Sequence, residues 1–229
     1  MREGGVEPHP EGPAGLMQAV PGIREQWLRP AIVLPSDLDA VASDLSAAFA
    51  DYSLFRWILR DNGDNALARR KLFEVLVRDI GYRTGEICRP ATGGAAAIWV
   101  RSQDLDRISF IDEIRMLPPL VAATGLRRLP RLVALDRAIN RHHPKCQPHV
   151  YLYLLGVHPR LQGTGIGSRL LQAGLDRIDT QGCGAFLETS TESNVFFYRH
   201  FGFKTVETYR VDPGSPSVWA MWRPPTGYK

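Results

Sequence analysis

The stretch from 149 to 180 constrains this chain most. His149-Val150-Tyr151-Leu152-Tyr153-Leu154-Leu155 is an apolar run that leads through Gly156-Val157-His158-Pro159 into a turn holding Gly163, Gly165 and Gly167. Beyond it Ile166, Leu170, Leu171, Leu175 and Ile178 recur at helical spacing. The reading is strand, glycine-rich loop, helix. Glycines let a backbone approach a ligand closely, and a helix start offers free N–H groups and a positive dipole end to an anion. The pattern describes a seat for a pyrophosphate, while a strand-to-helix turn with no ligand is the alternative that the glycines alone leave open.

Two common phosphate motifs are excluded. A P-loop needs a lysine before its Ser or Thr, and Gly167-Ser168 follows Ile166. A dinucleotide fingerprint spaces its glycines differently from 163, 165 and 167. What remains is Gln162-x-x-Gly165-x-Gly167 with Val157-x-Pro159 before it, which resembles the acetyl-CoA signature of the GNAT superfamily of N-acetyltransferases. Downstream, Phe186-Leu187-Glu188-Thr189-Ser190 reads as a strand, and Asn194-x-x-x-Tyr198 followed by Gly202-Phe203 resembles the second half of the same core. Ala47-Ala48-Phe49-Ala50-Asp51-Tyr52, taken with the motif from 186 to 190, resembles puromycin N-acetyltransferase and its relatives. The likeness covers roughly residues 29 to 224.

The bulk of the chain agrees with a globular protein. Its 229 residues are enough for one well-buried domain, and 44% hydrophobic content is ordinary. No run approaches the roughly 18 apolar residues of a membrane span, and the start lacks the apolar core of a secretory signal, so a cytoplasmic location is expected. Cys88, Cys146 and Cys183 are odd in number and far apart, which argues against a disulfide framework and against a zinc cluster, and no metal is expected. The net charge of +4 comes mainly from arginine, since the chain has only four lysines, and no basic run with interleaved aromatics suggests nucleic acid. A mild positive field suits a polyanionic cofactor, and solvated surface charge explains it equally well.

Residues 1 to 26, rich in Gly, Pro and Glu, read as a flexible tail before a single domain from 27 to 229. A strand is expected over 27 to 33. Ser36 is expected to cap a helix carrying Leu38, Val41, Ala42, Leu45, Ala48 and Phe49, and a long helix should run from 65 to about 82. A hairpin turns around Thr92-Gly93-Gly94. From about 101 to 147 lies a segment with two helical patterns, the first broken at Pro118-Pro119 and the second spanning 129 to 141; it is assigned to the acceptor side of the cleft. His142 and His143 should cap its end. The acetyl-CoA core then occupies about 148 to 203, and strands over 204 to 211 and 218 to 222 complete the sheet.

The resemblance implies an α/β protein of α+β type with the GNAT fold: a mixed, mostly antiparallel sheet, splayed at the acetyl-CoA site and flanked by helices. It implies acetyl transfer from acetyl-CoA to a primary amine of a small molecule, aminonucleoside-like on the puromycin N-acetyltransferase resemblance, by direct attack through a tetrahedral intermediate. The cofactor seat is assigned to Leu155, Val157, Arg160, Gln162, Gly163, Thr164, Gly165, Gly167, Ser168 and Asn194, with Arg169 near enough to help with phosphate charge. Tyr198 is the general acid that the resemblance implies, since the family places a tyrosine at this point of the motif, and a phenol with pKa ~10 can return a proton to a thiolate whose thiol titrates near ~8.5; a packed aromatic among Phe196, Phe197 and Phe201 is the alternative. The base is Glu188, a carboxylate inside an otherwise apolar strand, or His149, which titrates near neutrality. Tyr52, Tyr151 and Glu188 are assigned to the acceptor pocket, with a helix C-terminus the simpler reading of Asp51-Tyr52. The expected partners are acetyl-CoA and the amine alone, with no nucleic acid or membrane, for a monomer or homodimer. Acetylation of a protein or peptide amine, or an acyl-CoA-binding sensor without turnover, are the competing functions.

Overall fold

The computed structural model describes residues 31–60, 65–107, 110–145 and 147–226. The expected tail over 1 to 26, the first part of the strand over 27 to 33 and Cys146 lie outside the described residues. Seven strands form one sheet: β1 (Ala31–Ile32), β2 (Gly85–Arg89), β3 (Ala95–Arg101), β4 (His149–Val157), β5 (Gly184–Thr189), β6 (Lys204–Arg210) and β7 (Ser217–Arg223), in the order β1-β2-β3-β4-β5-β7-β6. Every neighbouring pair is antiparallel except β4 with β5. The expected mixed, mostly antiparallel sheet is what forms.

The helices divide between the two faces. On one face α1 (Leu38–Ala48), α2 (Ser53–Ile58), α3 (Asn65–Val75) and α4 (Phe110–His142) pack on Ala96, Ile98, Val100 and Leu154. The other face carries α5 (Ile166–Thr180) and α6 (Glu192–Arg199), laid on Ala97, Trp99, Val150, Leu152, Ala185 and Leu187. Alternation along β3 supplies both faces, because successive strand side chains point opposite ways. The Trp99 indole lies flat against α5 where Gly174 has no side chain; an added Cβ would come within 2.6 Å of three indole atoms. Gly174→Ala should therefore cost about 1–3 kcal/mol by overpacking, read as a lowered urea midpoint, and an unchanged midpoint would show that the contact yields.

Three local expectations need correction. Ser36 does not cap α1: a 3-10 turn over Pro35–Asp37 precedes it, and the Asp37 carboxylate accepts the Leu34 N–H at 3.2 Å. The long helix from 65 is not uniform, because Leu76–Gly81 is π-helical before a last turn over Tyr82–Thr84. The acceptor-side helix α4 is not broken at Pro118-Pro119; it turns at Gly125, where φ 68° and ψ 160° leave helical space. A left-handed φ is open to glycine, whereas proline is tolerated where neighbouring backbone can compensate. The short helix α2 was not anticipated at all. Cys88 is buried and Cys183 half-buried, both as free thiols.

Candidate active site

The site is built where β4 and β5 stop pairing. Their register runs from His149↔Gly184 to Leu152↔Leu187 and goes no further, although β4 continues to Val157. Beyond Leu152 the two strands are unzipped. On its other side β4 carries a bulge: Trp99 pairs with Leu152 and Ile98 with Leu154, which leaves Tyr153 without a register partner on either neighbour. An extra residue re-aims the strand, so Leu152 and Leu155 both belong to the α5 face. Gly156 then passes beneath α1, where a Cβ would stand 2.7 Å from Leu45 Cδ2. The end of β4 is thereby fixed against α1 as it enters the glycine loop.

The backbone of that loop has the geometry of an anion seat. Gly163 (φ 78°) and Gly165 (φ 80°) are left-handed, and Gly165 is the N-cap of α5. Among the described residues, no backbone hydrogen bond is donated by the N–H groups of 163 to 168, and the first such bond is Arg169 N–H to Gly165 O at 3.1 Å. A Cβ on Gly163 would meet nothing within 4 Å, so the space over the loop is open. Gln162 lies back on the strand, its Nε2 donating to Val157 O at 3.1 Å, and Thr164 Oγ1 donates to Leu161 O at 2.6 Å. Of the backbone of Val157, a residue assigned to the cofactor seat, the carbonyl is thus held by Gln162. The Arg169 guanidinium crosses under the loop and donates to Thr164 O at 3.4 Å, whereas Arg160 is exposed and Ser168 half-buried. Unbonded amides, left-handed glycines and a nearby guanidinium fit a diphosphate.

A polar cluster closes the far end of the opening. Tyr52, just past the turn that ends α1, accepts the Ser190 N–H at 2.7 Å and lies 3.3 Å from Thr189 Oγ1, which also accepts from Asn194 Nδ2 at 3.3 Å. Tyr198 is 8% exposed, and its hydroxyl has no hydrogen-bond partner among the described residues. Burial first, and then the nearby Tyr52, push its phenol above the usual range, so it holds its proton at neutral pH. The Tyr198 ring packs on Phe197 and Phe203, with centroids 5.2 and 5.9 Å away.

Glu188 is the first β5 residue beyond the last β4 pair. Its carboxylate accepts from Tyr151 at Oε2 (3.0 Å) and from Tyr209 at Oε1 (2.5 Å). Burial raises its carboxyl to about 7, against the two tyrosine hydrogen bonds and the nearby His142, which lower it. His149 is elsewhere. It opens β4, six residues before Leu155, or roughly 20 Å along an extended chain. The ring is 2% exposed, with Nδ1 2.9 Å from Gln147 O and Nε2 2.9 Å from His143 Nε2, and burial depresses its pKa. The structure brings Tyr52, Tyr151, Glu188, Asn194 and Tyr198 to the opening and leaves His149 at the other end of the strand. His142, in the last turn of α4, stacks on Tyr209, and His143 just beyond it meets His149. Sequence reasoning missed Tyr209, Thr189 and Ser190; for Tyr209 a buried aromatic on an edge strand was the only signal.

Known acetyltransferases share this fold. Residues 105–203, which include the loop, Glu188 and Tyr198, match the model of the acetyltransferase (GNAT) family. A Corynebacterium glutamicum protein described as histone acetyltransferase HPA2 and related acetyltransferase is 27% identical, with a TM-score of 0.63 over 87% of this chain and 97% of that one. The polyamine N-acetyltransferase of Drosophila melanogaster (16% identity, TM-score 0.58, 86% and 99% covered) shares the fold. So does arylalkylamine N-acetyltransferase 2 of Aedes aegypti (14%, 0.52, 86% and 98%). Fold and site together define an acyltransferase. Over residues 105–203 the chain is, more particularly, similar to the acetyltransferase (GNAT) family. Among the described residues no helix is long and apolar enough to cross a membrane, and no cluster of His, Cys, Asp and Glu could hold a metal ion.

Proposed function

We propose that this protein transfers an acetyl group from acetyl-CoA to a primary amine of a small molecule, by direct attack of the amine. One arrangement supports the reading above all: six backbone N–H groups without a backbone acceptor at 163 to 168 stand at the mouth of a gap in the sheet that has Glu188 at its inner end. Acetyl-CoA supplies the activated acyl group as a thioester, its diphosphate held by the loop and by Arg169, with Asn194 beside the arm. Leu155 and Val157 line the gap, and the bulge at Tyr153 leaves a strand amide near it as the oxyanion donor. Thr164, Gly167 and Ser168 contribute amides, and Arg160 adds charge from the surface.

Glu188 takes the proton from the attacking amine. A carboxyl that titrates at about 7 is half ionised at neutral pH and is matched to that task, whereas His149 has both ring nitrogens engaged away from the gap. Tyr198, which holds its proton, returns one to the departing thiolate. Tyr52, Tyr151 and Glu188 face the acceptor, and α4 supplies the wall of its pocket. On this reading one domain from about 27 on carries the whole activity, acts in the cytoplasm, and binds no metal, nucleic acid or membrane.

The acceptor is proposed to be aminonucleoside-like, as in the puromycin N-acetyltransferase family, on the motifs at 47 to 52 and 186 to 190. A protein amine is the second reading, favoured by the description of the 27%-identical relative as a histone acetyltransferase and related acetyltransferase. Following thiol release from acetyl-CoA with puromycin, agmatine, tryptamine and a histone tail peptide separates them. Release with puromycin supports the first reading and release with the peptide alone supports the second. Tight acetyl-CoA binding without release for any acceptor would mark a sensor. Tyr198→Phe is expected to lower turnover about 10- to 100-fold, with acetyl-CoA affinity unchanged within twofold; an unaltered rate would remove Tyr198 from the acid role.

A further inference from the structure

We propose that Tyr209, on the edge strand β6, is the positioning residue that aims and holds the Glu188 carboxylate, and that His142 of α4 keeps Tyr209 in place. The proposal rests on the reading of Glu188 as the base. Each carboxylate oxygen has one phenolic donor, Tyr151 on Oε2 at 3.0 Å and Tyr209 on Oε1 at 2.5 Å. The two donors arrive differently. Tyr151 stands on the adjacent strand β4, with its ring beside Phe186. Tyr209 comes from two strands away, because β7 lies between β5 and β6. Ala220 of β7 pairs with Glu188 on one side and with Glu207 on the other. Its small, fully buried side chain leaves the room through which the Tyr209 ring reaches the carboxylate.

Such a reach needs support, since β6 is a sheet edge with exposed residues along most of its length. His142 provides it. Its ring lies parallel to that of Tyr209, with centroids 4.0 Å apart and planes inclined by 8°, and its Nδ1 is 2.9 Å from Glu207 Oε1. The end of α4 is thus tied to β6 at the residue that touches the base. The charged or titratable groups that face Glu188 are Tyr151 from β4, Tyr209 and Glu207 from β6 and His142 from α4. Burial and Glu207 disfavour its ionised form, whereas the two tyrosine hydrogen bonds and His142 favour it. A hydrogen bond to a charged form stabilises that form, so losing the Tyr209 hydroxyl leaves burial less opposed.

Tyr209→Phe keeps the ring and the stack and deletes only the donor. The test is a carbon-13 carboxyl titration of glutamate-labelled full-length protein, with the Glu188 signal assigned by its absence in Glu188→Gln. The Glu188 midpoint is expected to rise by about one to two pH units in Tyr209→Phe. His142→Ala is expected to raise it by less, through loss of the stack and of the electrostatic support that His142 gives the ionised carboxylate. In turnover with acetyl-CoA, the acid limb of the kcat profile should move up in parallel while KM for acetyl-CoA stays put. A purely structural tyrosine would instead depress the rate at every pH.

An unmoved midpoint in Tyr209→Phe overturns the proposal, and so does an equal rise in Tyr153→Phe, whose hydroxyl makes no hydrogen bond with Glu188. An unmoved midpoint in His142→Ala overturns the part assigned to His142. The titration needs no acceptor, so it is separate from the reading of Glu188 as base. If Glu188→Gln is inactive and the midpoint does not move, the clamp alone fails. If Glu188→Gln is fully active, the base reading fails, and the role of Tyr209 in catalysis with it.

Discussion

Gly165→Asp is expected to abolish acetyl-CoA binding, weakening it at least about 100-fold, because the loss of two charge-assisted hydrogen bonds costs about 3–6 kcal/mol. Gly165 is the left-handed N-cap of α5, with φ 80°, and the unbonded amides on either side of it are the proposed seat. An aspartate tolerates that backbone better than most residues, so the loop should keep its shape. What it adds is a negative charge where a diphosphate must sit. The new Cβ would lie 3.6 Å from Arg169 Nη2, so the carboxylate would also draw that guanidinium away from the ligand. Calorimetric titration with acetyl-CoA reads the effect, and affinity retained within tenfold would mean that the diphosphate sits elsewhere.

Glu188→Gln is expected to lower turnover by about 10²- to 10⁴-fold, the usual worth of a positioned general base, while acetyl-CoA binds as before. Glutamine keeps the size of the side chain and loses the ability to take a proton. The wild-type pH profile follows from the same group. With its carboxyl raised to about 7, Glu188 is mostly protonated and inactive below that value and mostly ionised above it. The rate should therefore rise about tenfold between pH 6 and 8 for an acceptor so weakly basic that its amine stays neutral throughout. A flat profile over that range, or a Glu188→Gln rate near that of the wild type, would remove Glu188 from the role of base.

The parts of this site that lie close together in the chain were legible from the sequence. Gln162 to Ser168 form a local unit whose glycines and helix start describe an anion seat without tertiary information, and Asn194 and Tyr198 share a helix face by their spacing. Glu188 stood out because a carboxylate inside an apolar strand must be accounted for. The bulge at Tyr153 was not legible, since it is a mismatch between β3 and β4 and neither strand records it alone. Tyr209 was hidden for a similar reason: its partner is two strands away across Ala220. His149 looked promising as a titratable group at the head of the central strand, but the strand runs from that head toward the loop, and the ring is left at the wrong end. Proline at 118 and 119 suggested a break, yet a helix packed on α2 and α3 absorbed the prolines and turned at Gly125, where glycine allowed a left-handed φ. Ser36 failed as a cap because Asp37, one residue on, bonds back to Leu34 and opens the turn first.

The account stands most directly on what the loop at 163 to 168 binds. Titrating the purified protein in a calorimeter with coenzyme A and, separately, with pantetheine isolates the contribution of the diphosphate, because the two ligands share the thiol arm. The account predicts that coenzyme A binds at least about 100-fold more tightly than pantetheine, and that Gly165→Asp removes this difference. Equal binding of the two ligands, or no binding of coenzyme A at all, would contradict it.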